Sequence, residues 1–257
     1  MGKAIAIFNQ KGGVGKTTTN INLAASLALR KKKVLILDID PQGNTTSGVG
    51  ILKKELPVTT YNLLVDEDID VNEAILNTEV KNLDIIPASV QLAGAEIELA
   101  QIEGREKRLK KALDTIKDNY DYIFIDCPPS LGLLTINSLT AVDSVLIPIQ
   151  CEFYALEGVS QLMSTIDIVK KNLNPELEIQ GVILSMFDGR TKLSMQVQEE
   201  VRKYFGKAVY KTVIPRNVKL AEAPSFGMPI ALYDPLSKGA RAYKKFAKEF
   251  LNQESEN

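Results

Sequence analysis

A chain of 257 residues with a formal charge of −1 and ordinary apolar and charged fractions has room for one large α/β domain or two small ones. It contains no histidine, which removes Ser–His and Cys–His nucleophile systems, histidine general bases and histidine metal sites, so acid–base work falls to Asp, Glu, Lys or water. Two cysteines, Cys127 and Cys151, with no run of membrane-span length and no signal-peptide pattern, point to a reducing cytoplasm, where each reads as a small core residue.

In chain order, residues 4–8 read as an apolar strand that runs straight into Phe8-Asn9-Gln10-Lys11-Gly12-Gly13-Val14-Gly15-Lys16-Thr17-Thr18. A Gly-Lys-Thr between a strand and a helix (17–30) is the end of a phosphate-binding loop. Its glycines let backbone N–H groups close around phosphate oxygens, Lys16 reaches the outer phosphates, and the Thr17 hydroxyl can ligate Mg²⁺. The helix adds its positive end to the same anion site. The first loop position is Gln10 rather than glycine, and an extra lysine, Lys11, places a mobile cation where most such loops carry none.

The next strand, 33–38, ends in Asp38 and is followed at once by Asp40-Pro41-Gln42-Gly43-Asn44, a loop expected to move. A carboxylate there is placed to orient an attacking water beside a γ-phosphate. Strand 83–87 and a long helix over 93–117 lead to strand 122–126, Tyr122-Ile123-Phe124-Ile125-Asp126, whose terminal carboxylate can hold Mg²⁺ through a coordinated water. Helix 133–141, strand 144–149, helix 157–172, strand 179–185, helix 193–205, strand 209–214 and helix 238–251 complete the pattern. Strands that read as continuous apolar runs alternating with helices predict a doubly wound, mostly parallel sheet with helices on both faces. No composition break divides the chain, so a single domain over 1–257 is expected, with ligands at the carboxyl ends of the strands. The last helix carries an apolar stripe with Lys244, Lys245 and Lys248 off it, a pattern that fits docking on the sheet better than lying on a membrane.

Charge is uneven along the chain. Residues 186–250 hold 13 Lys and Arg against 6 Asp and Glu, a net +7 that leaves −8 elsewhere and suggests a polyanionic partner for this lobe.

With these residues in view, Lys11-Gly12-Gly13-Val14-Gly15-Lys16-Thr17 resembles the deviant Walker A motif of the MinD/ParA ATPases. Asp38-Ile39-Asp40-Pro41-Gln42-Gly43-Asn44 resembles the switch I segment of the ParA branch, and Ile125-Asp126-Cys127-Pro128-Pro129-Ser130 its Walker B and switch II. Val213-Ile214-Pro215-Arg216-Asn217-Val218-Lys219-Leu220-Ala221-Glu222-Ala223-Pro224-Ser225 is similar to the C-terminal signature of the chromosomal ParA, or Soj, branch. The resemblance spans essentially the whole chain.

It implies an ATP-dependent DNA-partitioning ATPase with ATP and Mg²⁺ as cofactors. Gly12, Gly13, Val14, Gly15, Lys16, Thr17 and Thr18 would cradle the nucleotide, and Pro215 and Met186 would lie near the base. Thr17 and Asp126 would hold the metal, and Asp40 would position the water. Lys11 would reach across an ATP-dependent homodimer, with Gly12 keeping that approach free of a side chain. Arg190 and Arg216 match family positions that bind double-stranded DNA without sequence preference, and Lys192 and Lys219 are neighbours. Dimerisation would raise the number of neutralised phosphates to about four to six, a salt slope near −4 to −5. A ParB-type partner would stimulate hydrolysis and so drive chromosome or plasmid segregation in a nucleoid-associated cytoplasmic protein. With the loop starting so early, no N-terminal helix-turn-helix domain is expected. Rival readings are a MinD-type membrane-associated division regulator, an iron–sulfur carrier of the nitrogenase iron-protein type and a small-molecule ligase, none of which finds its own signature here, and a ParA-like positioner of another cargo, which shares this chemistry.

Overall fold

The computed structural model describes residues 2–54, 56–152 and 158–256. The elements run β1 (Lys3–Ile7), α1 (Lys16–Ala28), β2 (Val34–Asp38), α2 (Asn44–Gly48), α3 (Thr60–Val65), β3 (Leu76–Asn77), β4 (Leu83–Ile86), α4 (Leu92–Leu99), α5 (Arg108–Asp114) and β5 (Tyr122–Asp126). They continue with α6 (Leu133–Ala141), β6 (Ser144–Gln150), α7 (Val159–Asn172), β7 (Glu178–Phe187), α8 (Lys192–Phe205), β8 (Val209–Pro215), α9 (Val218–Glu222), α10 (Ile230–Tyr233) and α11 (Lys238–Glu256). One sheet of eight strands has the order β3-β4-β2-β5-β1-β6-β7-β8, with every pairing parallel except β3 on β4. The expected fold class is therefore observed.

β1, β2 and β5 are almost entirely Ile, Leu, Val, Ala and Phe because both faces are covered. One core packs α1 and α11 onto the sheet through Ile21, Leu23, Leu27, Tyr243, Phe246 and Phe250. The other packs α3 to α8 onto the opposite face, with Leu64, Leu92, Leu109, Leu134, Leu162 and Val201 among its members. β1 lies between β5 and β6, so the chain turns off the centre of the sheet and opens a crevice at its carboxyl edge.

The expected helix over 93–117 is broken. Gly104 adopts left-handed backbone at φ +67°, and Asn137 of α6 accepts from the Leu109 amide at 3.1 Å while donating to the Arg105 carbonyl at 2.8 Å, so α5 starts afresh. The expected start of helix 157–172, at Glu157, lies outside the described residues. α11 runs past Leu251 to Glu256 because Glu254 is tied to Lys3 at 2.9 Å and accepts from Gln180 at 2.8 Å. The apolar face of α11 is occupied: Tyr243, Phe246 and Phe250 are buried, with Phe250 set edge-on to Tyr122 at 5.3 Å. Among the described residues no helix is long and apolar enough to cross a membrane.

Candidate nucleotide site

The site is built where three parallel strands end together. Register places Ile7 opposite Asp126, and Asp126 opposite Asp38, so the end of β1 and two carboxylates lie side by side. The loop from Phe8 leaves β1 here and closes at Gly15, whose φ of +91° starts α1 at Lys16. Three braces hold this loop. Asn9 donates to the Pro148 carbonyl at 2.8 Å and accepts from the Lys11 amide at 2.9 Å, Ser185 of β7 donates to the Val14 carbonyl at 2.7 Å, and Gln10 reaches Thr165 at 2.9 Å. Gly13 also has positive φ, at +75°.

Lys16 is largely buried and donates across the loop to the Lys11 carbonyl at 3.3 Å. Burial pulls its ammonium below the ordinary lysine range, and the Asp126 and Asp40 carboxylates oppose that pull. The Thr17 hydroxyl donates to Asp126 Oδ2 at 2.7 Å. The other carboxylate oxygen, Asp126 Oδ1, is buried with no donor among the described residues. An acceptor left bare beside a phosphate loop fits a hydrated divalent cation, and among the described residues no group of three or more acidic or thiol side chains forms a metal cage alone. The set therefore suits a metal shared with a ligand's own oxygens, as Mg²⁺ is with phosphates.

The two aspartates of the switch segment part company. Asp38 is fully buried and clasps α2, its Oδ2 accepting from the Thr46 amide and hydroxyl, both at 2.7 Å. Burial raises its carboxyl above the ordinary range, and neighbouring Asp126 adds to that. The Thr46 hydroxyl in turn accepts from the Ala88 amide at 2.9 Å, which ties α2 to the chain beyond β4. Asp40 caps its own turn, accepting from the Gln42 amide at 2.9 Å. The loop read as mobile is in this structure pinned at both ends, and Asp40 sits in it 9% exposed.

Beside the loop a cavity of about 350 Å³ is lined by Gly15, Thr18, Ser185, Met186, Pro215 and Asn217, among others. Met186 takes left-handed backbone, φ +50°, at the strand end that forms one wall. The Asn217 carboxamide oxygen is buried there with no donor among the described residues. Polar depressions of about 540 and 470 Å³ lie elsewhere, around Lys3 and Tyr120 and around Asp66 and Arg108, but neither touches the phosphate loop. Cys127 and Cys151 are free and buried, and burial pushes each thiol up to about 12.

The Lys11 ammonium pairs with Glu152 at 3.5 Å. Space and φ give no reason for glycine at 12, since a Cβ there would meet nothing within 4 Å. The expected DNA-contacting residues cluster at the carboxyl ends of β7 and β8. Arg190 is 89% exposed at its side chain and pairs with Asp188 at 2.7 Å, while the Arg216 amide donates to the Phe187 carbonyl at 3.2 Å. The Asp188 carboxyl is held down at about 2 by the hydrogen bonds from Arg190, with the charge of Arg216 assisting. Lys192 opens α8, and Lys219 in α9 pairs with Glu222 at 2.8 Å. Asn9, Thr45, Thr46, Ser185 and Asn217 escaped the sequence reading, because isolated hydroxyls and carboxamides at strand ends read as turn formers. The motif positions of Thr45 and Thr46, just after Asp38 and Asp40, were the available signal.

Comparison with known proteins agrees with this site. Residues 2–179 match a family described as an AAA domain. The chain is 64% identical over 249 residues to the sporulation initiation inhibitor protein Soj of Bacillus subtilis, covering 97% of this chain and 98% of that one. It is 50% identical to the chromosome-partitioning ATPase Soj of Treponema pallidum, with 100% of both chains covered. A structure titled cobyrinic acid a,c-diamide synthase from Mycobacterium smegmatis, with bound ATP analog and magnesium, superposes with a TM-score of 0.87 at 37% identity, over 99% of this chain and 96% of that one. A strand-end phosphate loop, a paired-carboxylate edge and relatives of this similarity over the full length lead to one conclusion: the chain is a P-loop ATPase belonging to the Soj/ParA chromosome-partitioning family.

Proposed function

We propose that the protein is an ATP-driven DNA-partitioning switch, in which Mg-ATP joins two copies face to face, the dimer holds DNA without sequence preference, and hydrolysis stimulated by a ParB-type partner releases it. The observation that carries the reading is that beside the phosphate loop the Lys11 ammonium is paired, among the described residues, with Glu152 rather than with a group of that loop. Gly12 supports it, since among the described residues a Cβ there would meet nothing within 4 Å, which leaves room for a second copy's approach.

ATP would place its phosphates in the loop from Gly12 to Thr18, against Lys16, and its base in the cavity beside Pro215. There the bare Asn217 oxygen suits an exocyclic amine, as adenine offers and guanine does not at that edge. Thr17 and Asp126 would hold Mg²⁺, which neutralises charge on the phosphate oxygens when bound. Asp40 accepts from and orients the water in line with the γ-phosphate, and Lys16 steadies the charge that develops there. Lys11 leaves Glu152 and reaches the partner copy's nucleotide, which makes turnover depend on dimerisation. Arg190, Lys192, Arg216 and Lys219 then lie on one DNA-facing rim, doubled by the second copy.

The small-molecule synthase named for one structural relative rests on 37% identity, whereas the partitioning reading rests on relatives at 50% and 64%. Sedimentation velocity tests the dimer. The wild type should shift from monomer to dimer with ATP and Mg²⁺ but not ADP, and Lys11→Ala should remain monomeric while still binding nucleotide. A Lys11→Ala chain that dimerises and hydrolyses ATP normally would remove the trans role of that lysine.

A further inference from the structure

We infer that Thr45, in the helix after the switch loop, is a positioning residue that fixes which oxygen of Asp126 faces the magnesium. The inference rests on the assignment of Asp126 to the metal under the proposed function. Thr45 is fully buried, and its hydroxyl lies 2.8 Å from Asp126 Oδ2. A hydroxyl has one proton to give, and its direction here is set from behind. Asn20 of α1, itself fully buried, donates its Nδ2 hydrogen into the Thr45 oxygen at 3.2 Å, so the Thr45 proton is committed to Asp126.

Thr17 donates to the same Oδ2 at 2.7 Å. Two hydroxyls on one oxygen hold the carboxylate from rotating and leave Oδ1 as its one bare acceptor. Of these two donors, Thr17 belongs to the phosphate loop and would turn its lone pairs to the metal. Thr45 has no such second duty, and it sits five residues beyond Asp40 in the same switch segment. The metal site and the water-orienting loop therefore share a fastening, distinct from the neighbouring Thr46–Asp38 clasp that simply holds α2 down.

Binding of a fluorescent ATP analogue tests this, measured for each variant in EDTA and in excess magnesium, the readout being the ratio of the two dissociation constants. Thr45→Val keeps the shape and removes the donor; a hydrogen bond to a charged group of this strength predicts a magnesium enhancement reduced about tenfold or more, with affinity in EDTA within about twofold of wild type. Thr45→Ser restores the enhancement. Asn20→Ala, which frees the hydroxyl to turn, gives a smaller loss in the same direction and decides the matter if Thr45→Val does not fold. Asp126→Asn in the same assay separates the two layers. If it keeps the wild-type ratio, the assignment of Asp126 to the metal fails. If it loses the enhancement while folded Thr45→Val and Asn20→Ala keep theirs, the positioning role of Thr45 is overturned. Equal weakening of Thr45→Val in EDTA and in magnesium would likewise overturn it, because a merely structural residue affects both.

Discussion

The phosphate edge and the basic rim lie at the same carboxyl edge of the sheet, yet they are built on opposite physical plans. At the phosphate edge the polar groups are buried, Lys16, Asp38, Thr45 and Asp126 all below a tenth exposed, and cross-braced by hydrogen bonds of 2.7 to 3.3 Å. At the rim Arg190 stands in solvent and pairs with a carboxylate two residues away, and Lys219 pairs with Glu222 three residues away and lies over the Tyr233 ring, 5.7 Å from its centroid. Buried, preorganised groups discriminate between ligands because each misplaced or missing partner leaves a desolvated polar atom. Exposed cations, screened by salt and free to trade a local carboxylate for a phosphate, give attraction without sequence reading. On the proposed function, chemistry would belong to the first region and adjustable grip to the second.

Substitutions that separate the two regions sharpen this contrast, and the largest effect is expected at Asp40. Asp40→Ala should lower steady-state ATP turnover by about a hundredfold or more while ATP-dependent dimerisation, read by sedimentation, persists. A wild-type rate would show that another group orients the water. Arg216→Glu should come next, weakening duplex binding by at least about thirtyfold at moderate salt, because each dimer loses two cations and gains two anions; loss of the dimer as well would move Arg216 from the rim into the interface.

A third effect belongs to stability. Thr46→Val removes a hydroxyl that serves both Asp38 and the Ala88 amide, leaving the buried Ala88 amide unpaired and Asp38 Oδ2 with the Thr46 amide alone. Denaturant unfolding should report a loss of about 2–3 kcal/mol. A change under about half a kcal/mol would mean that the clasp is not a structural fastening. The smallest effect is expected at Lys219. Lys219→Ala should reduce the slope of log affinity against log salt by about one for each phosphate no longer neutralised, while changing affinity only a few-fold, since its ammonium already has a carboxylate partner. An unchanged slope would take Lys219 off the rim.

The same contrast explains what was legible in the sequence. β1, β2 and β5 were readable because burial on both faces demands unbroken apolar runs, and Asp126 stood out as the first charge after one. The phosphate loop was readable because its glycines, lysine and threonine occur in the order the chemistry needs. The broken helix after Leu92 was not, since the break is made by Asn137 from another helix, and a local pattern carries no trace of a remote cap. Nor were the partners of the two aspartates: the sequence set Asp38 at a strand end and Asp40 in a loop, but only packing shows that Asp38 clasps α2 through Thr46 while Asp40 caps its own turn. The positive excess over 186–250 was visible as a sum, but which of its charges are already paired was not.

The central claim is that nucleotide at the buried edge controls grip at the exposed rim. Co-sedimentation with unrelated duplex DNA, without nucleotide, with ADP and with ATP, each at two salt concentrations, tests it most directly. The account predicts binding with ATP alone, lost steeply as salt rises. Equal binding in all three nucleotide states, or none in any, would contradict it.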